Sequence, residues 1–175
     1  MTSDDPIVIV GAARTPMGGF QGDFNEVTAA ALGATSIAGA ISDAGIENES
    51  VEEVIMGCVL PAGQGQAPAR QAALGAGLGM QTGCTTINKM CGSGMKAAML
   101  AHDLLCAGSN DVMVAGGMES MSNAPYLLEK ARHVDARPWL RQTIVVPGQR
   151  DRVVDGDGVR LYRLRGPRIP GQRPY

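Results

Sequence analysis

Short apolar runs alternate with small-residue stretches of helical spacing from Pro6 to Gly116, and this alternation leaves few architectures open. Residues 6–13 (PIVIVGAA) and 54–60 (VIMGCVL) are β-branched or apolar runs, read as buried strands. Residues 85–90 (TTINKM) and 111–116 (DVMVAG) read as a third and fourth strand. Between them lie an Ala-rich helix over 28–44, with Asn25 or Thr28 as cap and Gly45 as stop, and a helix opening at Pro68 and running to Leu74. A third helix spans 92–107. Strand followed by helix, repeated, predicts an α/β fold with a mostly parallel βαβαβαβ sheet and helices on both faces. No internal repeat is found.

Composition supports that class. The chain has 175 residues and is only 3% aromatic, which suits close-packed α/β layers better than an aromatic-cored β sandwich. A net charge of -2 gives no basis for a nucleic-acid or anionic-membrane partner. No apolar run approaches the roughly 20 residues that span a bilayer. The opening MTSDDPIVIV lacks the basic and apolar regions of a secretory signal, so the expectation is a cytosolic protein. The charge then changes character. Residues 1–131 are predominantly acidic, whereas in 132–175 all ten basic side chains are Arg, and half of the prolines fall there. The expected organisation is a domain over 1–131 and an Arg/Pro/Gly-rich tail over 132–175, loosely ordered or adding an edge strand through TIVV or GVRLY. Without aromatic interleaving, the arginines do not make a nucleic-acid site.

Four cysteines, Cys58, Cys84, Cys91 and Cys106, contain no CxxC pair, so neither a metal site nor a redox pair is expected. Cys58, Cys84 and Cys106 read as inert packing residues. Cys91 differs, because INKMCGSGMKAA places it where a strand pattern stops and a helix begins. Free N–H groups and the positive end of the helix dipole stabilise an anion there, and the same N–H groups can hold an oxyanion. Gly92 and Gly94 allow a substrate close to the backbone. Met95, Ala98, Met99, His102, Leu105 and Cys106 recur at helical spacing and are expected to form the buried face of this helix. His102 lies 11 residues beyond Cys91, about 16 Å along the axis, too far to act as its base. His133 lies in the divergent tail. GQGQAPARQAA lacks the third glycine of a dinucleotide fingerprint, and no P-loop motif occurs.

Four stretches carry a resemblance: IVIVGAARTPMGGFQGDF, GQGQAPARQAALGAGL, TTINKMCGSGMKAAMLAHDLLCAG and DVMVAGGMESMSNAPYLLEKAR. Together they resemble the N-terminal half of a thiolase, over about residues 6–132. The resemblance implies that Cys91 attacks an acyl-CoA thioester, with its own N–H as one arm of an oxyanion hole. The acyl group then passes to a second acyl-CoA by Claisen condensation, or the reverse reaction cleaves a 3-ketoacyl-CoA. Coenzyme A enters as the thioester substrate, and no separate cofactor or metal is implied. It also implies a homo-oligomer, with the loop 63–70 and the strand before Cys91 near a dimer contact. Residues 116–122 (GGMESMS) either shape the cavity wall or form a tight turn ending a strand.

The departures bear on activity. The family's base in a GHPxGxxG-like motif, its second cysteine in CxGGGxG and its NExF-like asparagine match nothing in this chain. The fifth strand of the N-terminal sheet and the coenzyme A contacts of the loop domain also have no counterpart. These departures imply a chain impaired in turnover. The alternative reading is an inactive fragment that acts only by pairing with an intact thiolase. The tail's composition fits an out-of-frame or truncated reading of a longer gene better than a variant domain.

Overall fold

The computed structural model describes residues 7–127 and, beyond them, only the backbone of three short strands at 144–145, 153–155 and 158–160. The chain divides into two units, Met1–Ala124 and Pro125–Tyr175.

In the first unit the order is α1 (Ala29–Ala44), β1 (Glu53–Gly57), α2 (Pro68–Gly75), β2 (Gly83–Ile87), α3 (Ser93–Cys106) and β3 (Met113–Gly117). The helix signals were legible residue by residue. The Thr28 hydroxyl accepts the Ala31 N–H at 3.2 Å, capping α1, and Gly45 ends it at φ +66°. Pro68 occupies the first turn of α2, where its missing N–H costs no helical bond.

All three strands are parallel, in the order β2-β1-β3, so the connection through α3 crosses over β1. The alternation along β1 separates two layers. Val54, Met56 and Cys58 join a core with Ala29, Ile37 and Ile41 of α1, and Ala69, Ala72 and Ala73 of α2. Ile55 and Gly57 point the other way, toward α3. A Cβ on Gly33 would stand 3.1 Å from Ala72 Cβ, so the absence of a side chain lets α1 and α2 approach closely.

Two expectations are corrected. Residues 7–13 form no strand: Ile7, Val8, Ile9 and Val10 are exposed, Ile9 to 90%, and the segment is held at its far end, where the Ala12 N–H donates to Asp43 Oδ2 at 3.0 Å. An apolar β-branched run becomes a strand only where another strand supplies ladder partners. Among the described residues, the three-stranded sheet does not include this segment.

The second correction concerns α3. Its buried residues are Ser93, Ala97 and Ala101, while Met95, Ala98, Met99, His102 and Cys106 are exposed and Leu105 is half-buried. Both stripes have helical period; close approach decides between them. A Cβ on Gly94 would lie 3.4 Å from the Gly117 N, and one on Gly57 would lie 2.6 Å from Ser93. Only the small-residue stripe fits a helix lying this near the sheet.

In the second unit, β4 (Ile144–Val145), β5 (Val153–Asp155) and β6 (Gly158–Arg160) form an antiparallel sheet of their own. TIVV and GVRLY thus each contain a strand. The expectation of loose order elsewhere in 132–175, and His133 with it, lies outside the described residues.

Candidate active site

Cys91 is exposed at the junction of β2 and α3, two residues before the first residue of the helix. The turn that presents it is fixed by four hydrogen bonds from two side chains, Asn88 and Ser93. Asn88 Nδ2 donates to the Val59 carbonyl at 3.1 Å, and Asn88 Oδ1 accepts the Met90 N–H at 3.0 Å. The Ser93 hydroxyl donates to the Met90 carbonyl at 2.6 Å and accepts the Lys89 N–H at 2.8 Å. Met90 is thereby held in the left-handed region, at φ +50°. A non-glycine residue there costs on the order of 1–2 kcal/mol, so the surrounding bonds must over-determine it.

This is a strand–turn–helix elbow with a strained residue directly before the thiol. The Gly92 and Ser93 N–H groups close the turn onto the Lys89 and Met90 carbonyls, at 3.1 and 3.0 Å. The Cys91 N–H lies in this same turn, beside the sulfur, where a backbone donor can meet an oxyanion. A Cβ on Gly92 would lie 3.8 Å from Lys89 Nζ, which puts an ammonium group close to the turn.

The elbow is tied to the rest of the unit through the segment after β3. Glu119 accepts the N–H groups of Val59 at 2.8 Å and Leu60 at 3.1 Å, holding the loop after β1 to which Asn88 is bonded. Ser120 Oγ and Asn123 Nδ2 both donate to the Val27 carbonyl, at 2.7 and 3.0 Å, and Ser122 Oγ accepts the Gln21 N–H at 2.8 Å. The GGMESMS stretch therefore cross-links three separate parts of the chain. Sequence reasoning did not single out Asn88, Ser93 or Glu119. Glu119 bonds across 60 and 59 residues and Asn88 across 29, while the contacts of Ser93, and of Asn88 to Met90, lie within four residues and left only a local signal at the helix start.

The other thiols divide. Cys58 is only 2% exposed, and its Sγ receives Gln64 Nε2 at 3.4 Å and lies 3.8 Å from Glu119 Oε1. Burial first, and the Glu119 charge second, push this thiol's pKa up, which suits an inert packing residue. Cys84 is half-buried. Cys106, expected in the core, is exposed instead, with Sγ 3.7 Å from His102 Nε2. His102 is exposed on the same outward face of α3, well removed from Cys91 in the chain. Among the described residues, no cluster of three His, Cys, Asp or Glu side chains could hold a metal ion, and no helix is long and apolar enough to cross a membrane.

The thiolase N-terminal domain model matches residues 7–147, most of the chain. The chain belongs to the thiolase family. It is 53% identical over 145 residues to the mitochondrial acetyl-CoA acetyltransferases of Bos taurus and of Homo sapiens, covering 83% of this chain and 34% of each relative. The Danio rerio protein of that name is 58% identical over 124 residues, covering 71% of this chain and 30% of the relative. The fold matches the Acat5 thiolase of Ascaris suum, whose structure is a complex with coenzyme A. The TM-score is 0.69 at 36% identity, covering 70% of this chain and 32% of that one. This thiolase chain thus spans about a third of the length of the relatives it matches. The expectation of a cytosolic location is overturned, because these relatives are mitochondrial proteins. Net charge and hydropathy bear on membrane insertion and nucleic-acid affinity; they do not report which aqueous compartment a soluble domain occupies.

Proposed function

We propose that this chain carries the nucleophile of a thiolase-type acyl transfer, with an acyl-CoA as substrate and Cys91 as the residue acylated. The observation that carries the reading is the exposed thiol at the β2–α3 elbow, directly before the first turn of α3. Sulfur attacks the thioester carbonyl, and the carbonyl oxygen becomes an oxyanion facing the Cys91 N–H. Collapse breaks the carbon–sulfur bond to coenzyme A. The thiol proton leaves with the coenzyme A sulfur, and an acyl-cysteine remains.

Passing the acyl group to a second acyl-CoA requires a base to remove a proton beside its carbonyl. A single general base contributes about 10²–10⁴-fold to such a step. His102, exposed on the outward face of α3, does not supply one at Cys91. The chain alone is therefore expected to acylate without steady turnover.

Incubation of the full chain with acetyl-CoA, followed by intact-mass and peptide mass spectrometry, tests this. The expected result is one acetyl group, on Cys91, absent from Cys91→Ser. Acetylation elsewhere with Cys91 unmodified would refute it. Formation of heterodimers with an intact thiolase, with no acylation, would favour the inactive-fragment reading instead.

A further inference from the structure

Charge is divided between the two ends of the sheet. The strands are parallel, so β1, β2 and β3 all begin at one edge and finish at the other, and α3 runs back between the last two. Residues 7–127 hold ten acidic and only four basic side chains, and the acidic ones gather where the strands begin. Glu47 and Glu49 precede β1, Glu52 and Glu53 open it, and Asp111 stands two residues before β3. α3 returns to that edge and ends there with Asp103 and Cys106. At the opposite edge, where β2 finishes and α3 begins, stand Lys89, Lys96 and the positive end of the helix dipole. The exposed thiols Cys91 and Cys106 therefore lie at opposite ends of one helix, roughly 20 Å apart by its length, in opposite electrostatic surroundings.

Lys89 is the basic residue nearest Cys91 in the chain, and its backbone is locked. Its N–H donates to Ser93 Oγ at 2.8 Å, and its carbonyl accepts the Gly92 N–H at 3.1 Å. The side chain is exposed, and its Nζ lies 3.8 Å from where a Gly92 Cβ would stand, so the ammonium group is held at the turn that presents the thiol. Arg70, by contrast, is engaged by the chain itself: its guanidinium donates to the Thr82 and Met80 carbonyls, both at 2.9 Å. We propose that Lys89 makes Cys91 selective for anionic acyl donors. This rests on the reading of Cys91 as the acylated nucleophile and adds the charge class of its substrate. An acyl-CoA carries several phosphate charges, which so acidic a surface repels. A cation at the elbow turns that repulsion into attraction at the place where chemistry follows. The selection acts on encounter and binding, so a neutral thioester gains nothing from it.

Iodoacetate and iodoacetamide alkylate the same thiolate and differ by one charge, so the ratio of their rates at one cysteine cancels its intrinsic reactivity. In water, a unit charge at roughly 8 Å changes the encounter with a monoanion about twofold, and its reversal changes it about fivefold. Rates are read by peptide mass spectrometry on the full chain at about 10 mM ionic strength, where screening is weak. The iodoacetate-to-iodoacetamide ratio should be about fivefold higher at Cys91 than at Cys106, and the two should converge in about 1 M salt. Lys89→Glu should lower the Cys91 ratio about fivefold and leave that of Cys106 in place, while Lys89→Arg should preserve both. Glu49→Lys changes the net charge as much, at the far edge of the sheet, and should move the Cys91 ratio less than about twofold. With thioesters, K89E should slow acetylation of Cys91 by acetyl-CoA about fivefold or more, and by neutral S-acetyl-N-acetylcysteamine less than about twofold. Residues 49 and 89 are exposed, and circular dichroism checks that the variants stay folded. Equal ratios at the two thiols of the unmodified chain, a ratio indifferent to K89E, or an E49K effect as large as that of K89E would each overturn the proposal. Alkylation ratios that follow Lys89 in a chain that acetyl-CoA never acetylates uphold the charge selection and refute the acyl-transfer reading. Acetylation by acetyl-CoA that K89E leaves unchanged refutes the selection alone.

Discussion

Gly57 ends β1 directly beneath the first turn of α3, and Gly57→Ala tests how the elbow is positioned. A Cβ there would lie 2.6 Å from both the carbonyl carbon and Cβ of Ser93, and 2.7 Å from the Gly94 N. Ordinary carbon contacts are about 3.5–4.0 Å, so the start of α3 must retreat by about 1 Å. The obstacles are backbone atoms and a buried side chain, which cannot swing aside. Overpacking of this kind costs about 1–3 kcal/mol. For a chain of this size that lowers Tm by roughly 2–12 °C. The retreat also pulls Ser93 Oγ away from the Lys89 N–H, now 2.8 Å distant, and loosens the turn that holds Cys91. Gly92→Ala is the control, since a Cβ there meets Lys89 at 3.5 Å, an ordinary contact, and its φ of -97° suits any residue. Thermal melts compare the three proteins, and alkylation of Cys91 is measured against Cys106 as internal reference. G57A should melt lower and change the Cys91 rate alone, while G92A should melt within about 1 kcal/mol of the unmodified chain. Equal melting of G57A and the unmodified protein, or an equal loss in G92A, would refute the steric reasoning.

Glu119→Ala should strand the Val59 and Leu60 N–H groups and cost about 3 kcal/mol in denaturant unfolding, with Glu119→Gln losing roughly half of that because one acceptor oxygen survives. Because the folded chain raises the Cys58 pKa, it holds that proton more tightly than the unfolded chain does. The associated stability is fully present below the unfolded thiol pKa of about 8.5 and is lost as pH rises through the folded value. Cys58→Ala should accordingly flatten the alkaline limb of a stability-versus-pH curve. In the native protein a soluble alkylating reagent should reach Cys91 and Cys106 first and Cys58 last; early loss of the Cys58 thiol would contradict its burial.

Much of the fold was legible because its signals are local. Thr28, Gly45 and Pro68 mark helix ends through bonds made within a turn of themselves, and each does so in the structure. The thiol at Cys91 was legible for the same reason, since a strand pattern, two glycines and a helix pattern meet there. What failed was the assignment of faces. On α3 the methionine stripe and the Ser93–Ala97–Ala101 stripe share one period, and hydrophobicity favoured the wrong one. The packing distance set by Gly57, Gly94 and Gly117 decided against it. At residues 7–10 the pattern was that of a strand, yet strand formation depends on a neighbour that the described sheet does not offer.

By itself the sequence determined the alternating α/β class, the membership of the thiolase family and the position of Cys91 between strand and helix, because periodicity, capping and motif spacing act over a few residues. Only the tertiary structure decided which side of α3 is buried, that Glu119 and Asn88 brace the elbow across 60 and 29 residues, and that the apolar face left bare is the one running on from Cys91. Those outcomes depend on how closely two backbones approach and on which edges find partners, and both are properties of the assembled layers.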